Sequence, residues 1–326
     1  MKINTLYIEK AAKSHHNTSN IIKRIKYKNI IYCNSYSEVF NSNNQNFRIQ
    51  KESPSLILAY KKNNFVHKAP KRFTIGFKNN YYFSHLLNCP YDCKYCFLQG
   101  MFNSANYVLF VNYEDFFINI KKIADKNKDN TCFFSGYDSD SLALESVSNF
   151  LRGFIQNFKE IKKGILEIRS KSTNIKVFEN VKPLKNVIPA FSLNPEYIVK
   201  EYEDKTPSLS HRLKAIIKLQ NSGWSVGLRF DPLIYFGQKR DYKEFFFKVF
   251  KFIDNNKIHS VTLGKFRMPD SYLKKISRIR PDNYLIQLEN ARRIFSKLDQ
   301  NNDEAQLLFF IKLITRFVEK EKIFIN

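Results

Sequence analysis

The chain is 326 residues long and carries a net charge of +24, from 54 basic against 30 acidic side chains, enough for one large domain or two ordinary ones. Hydrophobic residues at 43% and aromatics at 15% exclude a disordered chain, and no apolar run of about eighteen residues is present to span a membrane. A single-sign field of this size attracts polyanions, nucleic acid first.

The opening MKINTLYIEKAAK lacks the continuous apolar stretch and small-residue cleavage site of a secretion signal. Five cysteines in so long a chain do not read as a disulfide framework, so a reducing, cytoplasmic setting is expected. Over residues 1–80, TLYIEK, NIIYC and SLILAY read as short strands, joined by asparagine-rich loops. From Tyr81 the pattern turns to strand and helix in alternation. YYFSHLL leads into a cysteine-rich loop, Tyr113 to Asn127 reads as a helix, TCFF as a strand, and Ser139 to Asn157 as a helix. ILEIRS, VIPAFSLN, WSVGLRFDPLIY and SVTLGKFRM are further strands, with helices over Ser208–Ser222 and Asp241–Asn255 between them. Ser139, Ser208 and Asp241 are the candidate N-caps. Six strand–helix units argue for a parallel sheet or partial barrel, with working residues at the C-terminal ends of its strands. The last apolar face, Leu307, Phe310, Ile311, Ile314, Phe317 and Val318, reads as a docking helix. The expected organisation is an α/β chain: an extension over 1–80, a partial barrel over 81–270, and a helical segment over 271–326.

Three of the five cysteines fall in NCPYDCKYCFLQG, spaced C-x3-C-x2-C. A structural zinc wants four ligands in a closed tetrahedron, and only His85 or Cys33 offers a fourth; Cys33 reads first as a buried structural thiol. A [4Fe–4S] cluster held by three thiolates, with its fourth iron free for a substrate or cofactor, explains the arrangement better. Phe97 and Leu98 stand ready to shield such a cluster.

The spacing is the signature of radical S-adenosylmethionine (SAM) enzymes, and CPYDCKYCFLQG resembles the spore photoproduct lyase family in particular. SDSLALE, IRSKS, AFSLNPEYIVKEYED and RFDPLIY resemble family blocks in the family's order; the likeness runs over roughly residues 5–250. It implies a partial (β/α)6 radical SAM barrel with a small N-terminal α/β extension and a C-terminal helix. It also implies a [4Fe–4S] cluster and SAM as cofactors, and a flavodoxin or ferredoxin as electron donor. The implied reaction uses a 5′-deoxyadenosyl radical to reverse a thymine dimer in ultraviolet-damaged DNA.

Carried over residue by residue, the resemblance implies Cys89, Cys93 and Cys96 as cluster ligands. Phe97, Ser139, Asp140, Lys171, Ser192 and Asn194 are implied at the cofactor, with Asp231 standing where the family has a small apolar residue. The family finishes with a cysteine at the end of the second strand, supported by two tyrosines near the cluster. Here that cysteine position is Tyr137, and the tyrosine positions are Tyr95 and Phe97. Tyr137 with Tyr95 is the expected lining of the radical site. Cys132, the nearest thiol, is expected on the opposite strand face from Tyr137 by alternation. Lys68, Lys71, Arg72, Arg278, Arg280, Arg292 and Arg293 are candidates for a phosphate-binding rim. Two other readings stay open: a radical SAM enzyme acting on another nucleic acid or a small molecule, and a zinc-stabilised nucleic-acid-binding protein.

Overall fold

The computed structural model describes residues 1–179, 181–235, 239–294 and 300–326. Among them, two sheets are interleaved along the chain. The first contains strands β1 (Lys2–Glu9), β2 (Lys26–Cys33) and β3 (Leu56–Ala59). The second begins with β4 (Val66–Lys68) and β5 (Asn79–Phe83). The chain then returns to the first sheet with β6 (Leu86–Leu87), makes the short β7 (Asp92–Cys93), and adds β8 (Tyr107–Phe110). The first sheet is thus ordered β2-β1-β3-β8-β6, parallel except at β6. LILA in β3 and YVLF in β8 are buried throughout because central parallel strands are covered on both faces. β2 lies at the edge and is mostly exposed.

The second sheet continues through β9 (Thr131–Ser135), β10 (Gly164–Ser170) and β11 (Val187–Ser192). After the short β12 (Glu203–Asp204) it takes in β13 (Val226–Leu233), β14 (Ile258–Lys265) and β15 (Ile323–Ile325). Its order is β15-β14-β13-β11-β10-β9-β5-β4. The six strands β5, β9, β10, β11, β13 and β14 are parallel neighbours, the partial six-unit barrel expected from the sequence. β15 adds parallel at one edge and β4 antiparallel at the other. The run of Phe133, Leu166, Ile168, Phe191, Leu228, Phe230 and Leu263 faces the covering helices. The other strand face carries a different filling. Cys132, Phe134 and Ile188 pack there with Ile75 and Phe73, beside a charged knot in which Glu167 takes both Arg229 (2.8 Å) and Arg169 (2.8 Å). Those two guanidiniums hold the Glu167 carboxyl down at about 2 against the opposing effect of burial.

Four local departures from the sequence reading have plain causes. The helix expected over Ser139–Asn157 is two pieces, Glu145–Ser148 and Phe150–Phe158, because Asn149 takes a left-handed conformation (φ 51°) between them. Ser139 caps neither piece; the first turn after β9 is organised by Asp140. Helix Lys239–Phe252 starts before Asp241, which lies in its first turn, whereas Ser208 does cap Leu209–Asn221 by accepting from His211 N. The C-terminal face docks as expected, with Phe310 5.0 Å from Tyr242 and Phe317 stacked 4.9 Å from Phe250. The chain then adds β15, which the sequence did not announce.

Candidate active site

The cysteine loop leaves β6 through Asn88, in the left-handed region at φ +66°, and its side-chain amide donates to Ser104 and Asn106 carbonyls, both at 2.7 Å. Three parts of the molecule then brace the loop. From the extension, helix Phe47–Glu52 supplies Arg48, whose guanidinium donates bidentately to Asp92 (2.8 and 3.0 Å), and Lys51, whose ammonium donates to the Cys89 carbonyl. From the barrel, β12 pairs antiparallel with β7, setting Glu203 opposite Cys93. From the C-terminal segment, Arg280 donates to Asp92 (2.5 Å) and to Gln99 (2.7 Å), and Gln99 in turn donates to the Cys93 carbonyl (2.8 Å). Arg280 is therefore a buried part of the loop's support and not of a solvent rim. Gly100 permits this close approach: a Cβ there would lie 2.4 Å from Tyr272 Cβ and 2.6 Å from its Cα.

The three thiols lie within electrostatic reach of one another. Burial pushes all three up, Cys89 to about 12, while Lys51 and Lys171 pull in the other direction. Such thiols ionise only against added positive charge, which bound metal supplies. Among the described residues no three or more His, Cys, Asp and Glu side chains are grouped to chelate a single ion; a cubane makes a different demand, one thiolate on each of its irons. Neither candidate for a fourth zinc ligand joins the loop. His85 stacks on Phe150 at 3.9 Å in the core, where burial lowers it to about 3. Cys33 ends β2, in register with Glu9.

Around the loop, the ends of the barrel strands carry the residues singled out by the sequence. Lys171 follows β10 and stands 5.6 Å over the Tyr95 ring. Burial works against its charge, but Glu203 and Cys93 outweigh that and hold it raised. Asn194 follows β11 and donates to Glu203 (2.9 Å), while its own Oδ1 is buried without a partner among the described residues. An orphaned acceptor at that position suits a ligand that brings a donor, and SAM brings an ammonium and two ribose hydroxyls. Ser192, buried at the end of β11, offers its hydroxyl nearby while its carbonyl accepts from Arg212 (3.0 Å). Asp140 is committed otherwise. Its carboxylate accepts from Leu142 N (3.0 Å), Ala143 N (2.9 Å), Ser170 Oγ (2.7 Å) and Lys171 N (2.7 Å), tying the turn after β9 to the end of β10. Ser139 beside it is half-buried. Asp231 accepts from Asn326 (3.2 Å) and sits 4.0 Å from Arg169.

The two tyrosines expected to line the radical site point to different neighbours. The Tyr95 hydroxyl donates to Glu203, and its ring meets Phe266 at 6.5 Å. Tyr137 stacks instead on Tyr82 (4.3 Å between ring centroids) and touches Phe97 and Phe73, each at 5.6 Å. Phe73 also meets Phe134, the β9 neighbour of Cys132 in the same cluster. Tyr137 and Cys132 thus lie on one side of the sheet, contrary to the alternation argument. The reason is Gly136, at φ +81°, which ends the strand and turns the chain back; a Cβ there would strike Ser141 Oγ at 2.4 Å. Cys132 is fully buried under its cluster, whereas Tyr137 is half-buried. Glu203 and Arg212, central to this site, were not singled out from the sequence; the block EYIVKEYED contained the first of them without marking it.

A half-closed parallel barrel with three thiols on one braced loop, a lysine beside them and polar groups at its strand ends has the architecture of a radical SAM enzyme. The family model described as spore photoproduct lyase matches residues 2–296. The chain is 25% identical over 255 residues to the spore photoproduct lyase of Clostridium acetobutylicum, covering 75% of this chain and 76% of that one. It is 24% identical over 199 residues to that of Bacillus subtilis, covering 60% and 58%. A solved variant of spore photoproduct lyase, with AdoMet and dinucleoside spore photoproduct bound, superposes with a TM-score of 0.80 over 99% of this chain and 98% of that one, at 18% identity. This chain belongs to the spore photoproduct lyase family.

Proposed function

We propose that the chain reverses the spore-photoproduct thymine dimer in DNA, with a [4Fe–4S] cluster on Cys89, Cys93 and Cys96 and SAM beside it. When bound, the two cofactors supply a 5′-deoxyadenosyl radical that abstracts hydrogen from the lesion. The observation that carries this reading is the meeting of three closely set thiols, Cys93 buried and Cys89 and Cys96 half-buried, with Lys171 and with an Asn194 Oδ1 that has no partner among the described residues, at one end of the barrel. Lys171 has the charge to hold a carboxylate, and Asn194 has the vacant acceptor to orient an ammonium or hydroxyl. Phe97 and Leu98 keep water from the loop. Tyr137, half-buried in ring contact with Phe97, is the group that returns a hydrogen atom to the product.

DNA is held by phosphate contacts. Lys68, Lys71, Arg72 and Arg278 are exposed, and Lys176, Lys205 and Lys214 line a cleft of about 610 Å³ beside Tyr91. The side chains of Arg292 and Arg293 lie outside the described residues. A soluble one-electron donor of the flavodoxin or ferredoxin kind completes the system.

The test is anaerobic incubation with SAM, dithionite and dinucleoside spore photoproduct, with the products separated by chromatography. Release of the thymine dinucleoside that requires all three loop cysteines is expected. SAM cleavage with no change in the lesion would overturn the assignment of substrate. With DNA, the logarithm of affinity should fall with the logarithm of salt by about 0.9 per phosphate contact; a flat profile would remove DNA as the substrate.

A further inference from the structure

Below the ring of groups at the barrel mouth, the inner face of the sheet holds a charged pair that is not closed. Strand parity puts Glu167 and Arg169 of β10, Arg229 and Asp231 of β13, and Ser260, Thr262 and Gly264 of β14 on that face. The contacts agree. Arg229 joins Glu167 (2.8 Å) to Ser260 Oγ (2.9 Å), and Asp231 Oδ1 lies 2.6 Å from where a Cβ on Gly264 would stand, so the glycine makes room for the carboxylate. Arg229 is spent in this knot, but Arg169 is not. Its Nε donates to Glu167 (2.8 Å) and its guanidinium lies 4.4 Å over the Phe73 ring, while Nη2 is buried without a partner among the described residues. Asp231 Oδ2 accepts from Asn326 (3.2 Å) and stays 4.0 Å from Arg169 Nη1. Thr262, fully buried between Ser260 and Gly264, also has a hydroxyl without a partner among the described residues. A guanidinium and a carboxylate free to meet close to about 2.8 Å. Here Glu167 and Phe73 hold one and Asn326 holds the other, which leaves a donor beside an acceptor, each with capacity to spare.

We infer that Arg169 and Asp231 read the imide edge of one thymine of the lesion, Asp231 accepting its N3–H and Arg169 donating to the adjoining carbonyl oxygen. The inference rests on the proposed function, whose substrate it specifies further. A thymine edge sets a donor next to an acceptor in the plane of the ring, the complement of the open pair, and a base taken out of the stack is read along that edge. Asp231 is also the position at which this chain departs from the family resemblance, so the reader belongs to this chain's own residues. The adenine of SAM likewise sets an N–H beside an acceptor, but two features favour the thymine. Lys171 and Asn194 already hold SAM in the proposed arrangement, nearer the cysteine loop. Phe73, beneath the Arg169 guanidinium, meets Tyr137 at 5.6 Å, so the pair lies on the side where hydrogen returns to the product. Arg169 and Asp231 are positioning and specificity residues in this scheme: they fix which way the base faces and take no part in bond making.

The experiment is calorimetric titration of the cluster-loaded enzyme, with SAM and without reductant so that no turnover occurs. The ligands are dinucleoside spore photoproduct and its two derivatives methylated at one or the other N3. Wild type, Asp231→Ala, Asp231→Asn and Arg169→Lys are compared at equal iron content, and SAM affinity is measured in each. Asp231→Ala and Arg169→Lys are expected to weaken lesion binding at least about tenfold, and Asp231→Asn, which keeps an oxygen acceptor, to recover most of the loss. One of the two N3-methyl lesions should bind wild type at least about tenfold more weakly and Asp231→Ala no more weakly than the unmethylated lesion. Equal affinity of wild type and Asp231→Ala for the lesion, with both N3-methyl forms bound as well by wild type, would overturn the reader and leave the proposed function standing. A fall in SAM affinity in Asp231→Ala with lesion affinity unchanged would give the pair to adenine and overturn it as well. Failure of the wild type, loaded with cluster and SAM, to bind the lesion at all would overturn the substrate assignment, and the reader with it.

Discussion

Glu203 and Arg212 form an ion pair of 2.5 Å in which neither side chain has any solvent exposure. Glu203 also accepts from Tyr95 and Asn194, while Arg212 also donates to the carbonyls of Pro207 and Ser192 and to the Thr206 hydroxyl. The pair therefore joins the cysteine loop to the ends of β11 and β12. Glu203→Gln keeps the shape and the acceptor but leaves Arg212 uncompensated, for which a loss of about 3–5 kcal/mol is expected. Urea unfolding at unchanged slope measures it; a midpoint equal to wild type would contradict this role for the pair.

Cys89→Ala, Cys93→Ala and Cys96→Ala should each lose the cluster and SAM cleavage, and Cys33→Ala neither. Cys33 sits at the end of an edge strand, in register with Glu9 and apart from the loop. Iron and sulfide per chain, with absorbance near 400 nm, are the measurements, and equal iron loss in Cys33→Ala would redraw the ligand set.

Glu145 supplies a pH signature. Burial raises its pKa to about 7, although it accepts from Leu151 N (3.0 Å), Arg152 N (3.2 Å) and Ser148 Oγ (3.0 Å) at the start of helix Phe150–Phe158. Between the ordinary value of 4.5 and about 7, the folded chain holds a proton that the unfolded chain has released. Its contribution to stability is thus complete below 4.5 and lost as pH rises through about 7, at no more than about 1.4 kcal/mol per pH unit. Glu145→Gln should flatten stability against pH over that window. A wild-type slope retained in the variant would exclude Glu145 as its origin.

Gly100→Ala tests the contact between helices Leu98–Met101 and Asp270–Ile279. The new methyl would meet Tyr272 backbone, which cannot rotate aside, so about 1–3 kcal/mol of destabilisation is expected. Because Gln99 and Arg280 brace Cys93 across that same contact, the cluster should also be lost faster to a chelator. Unchanged unfolding and iron retention would show that the helices part freely.

How far the sequence could reach is visible in particular residues. The thiol loop and the strands TCFF and ILEIRS were legible because their signals are local, in spacing and in β-branched or aromatic runs. β8 was not, since YVLF joins a sheet whose other strands lie before residue 60 or directly before the loop. The supports of Asp92 come from Arg48 and Arg280, 44 and 188 residues away in the chain, and no local pattern encodes such a meeting. Parity along β9 misplaced Tyr137 because one glycine at positive φ breaks the alternation. The partner of Tyr137 is Tyr82 on a neighbouring strand, a relation fixed by sheet register and invisible in the order of residues.

The cysteine loop departs from β6 and returns at β8, and these two strands pair with each other in the first sheet, Leu86 with Leu109 and Leu87 with Val108. If the loop takes the proposed cluster, iron capture and the folding of that sheet are one equilibrium viewed from two ends. Any free energy the cluster gains on binding the folded loop is returned as resistance of β6 and β8 to opening, by mass action. With a cluster on the loop as proposed, the first 60 residues would thus serve metal retention from outside the ligand set: excising them would remove Arg48 and Lys51 from beneath the loop and take away β3, against which β8 lies.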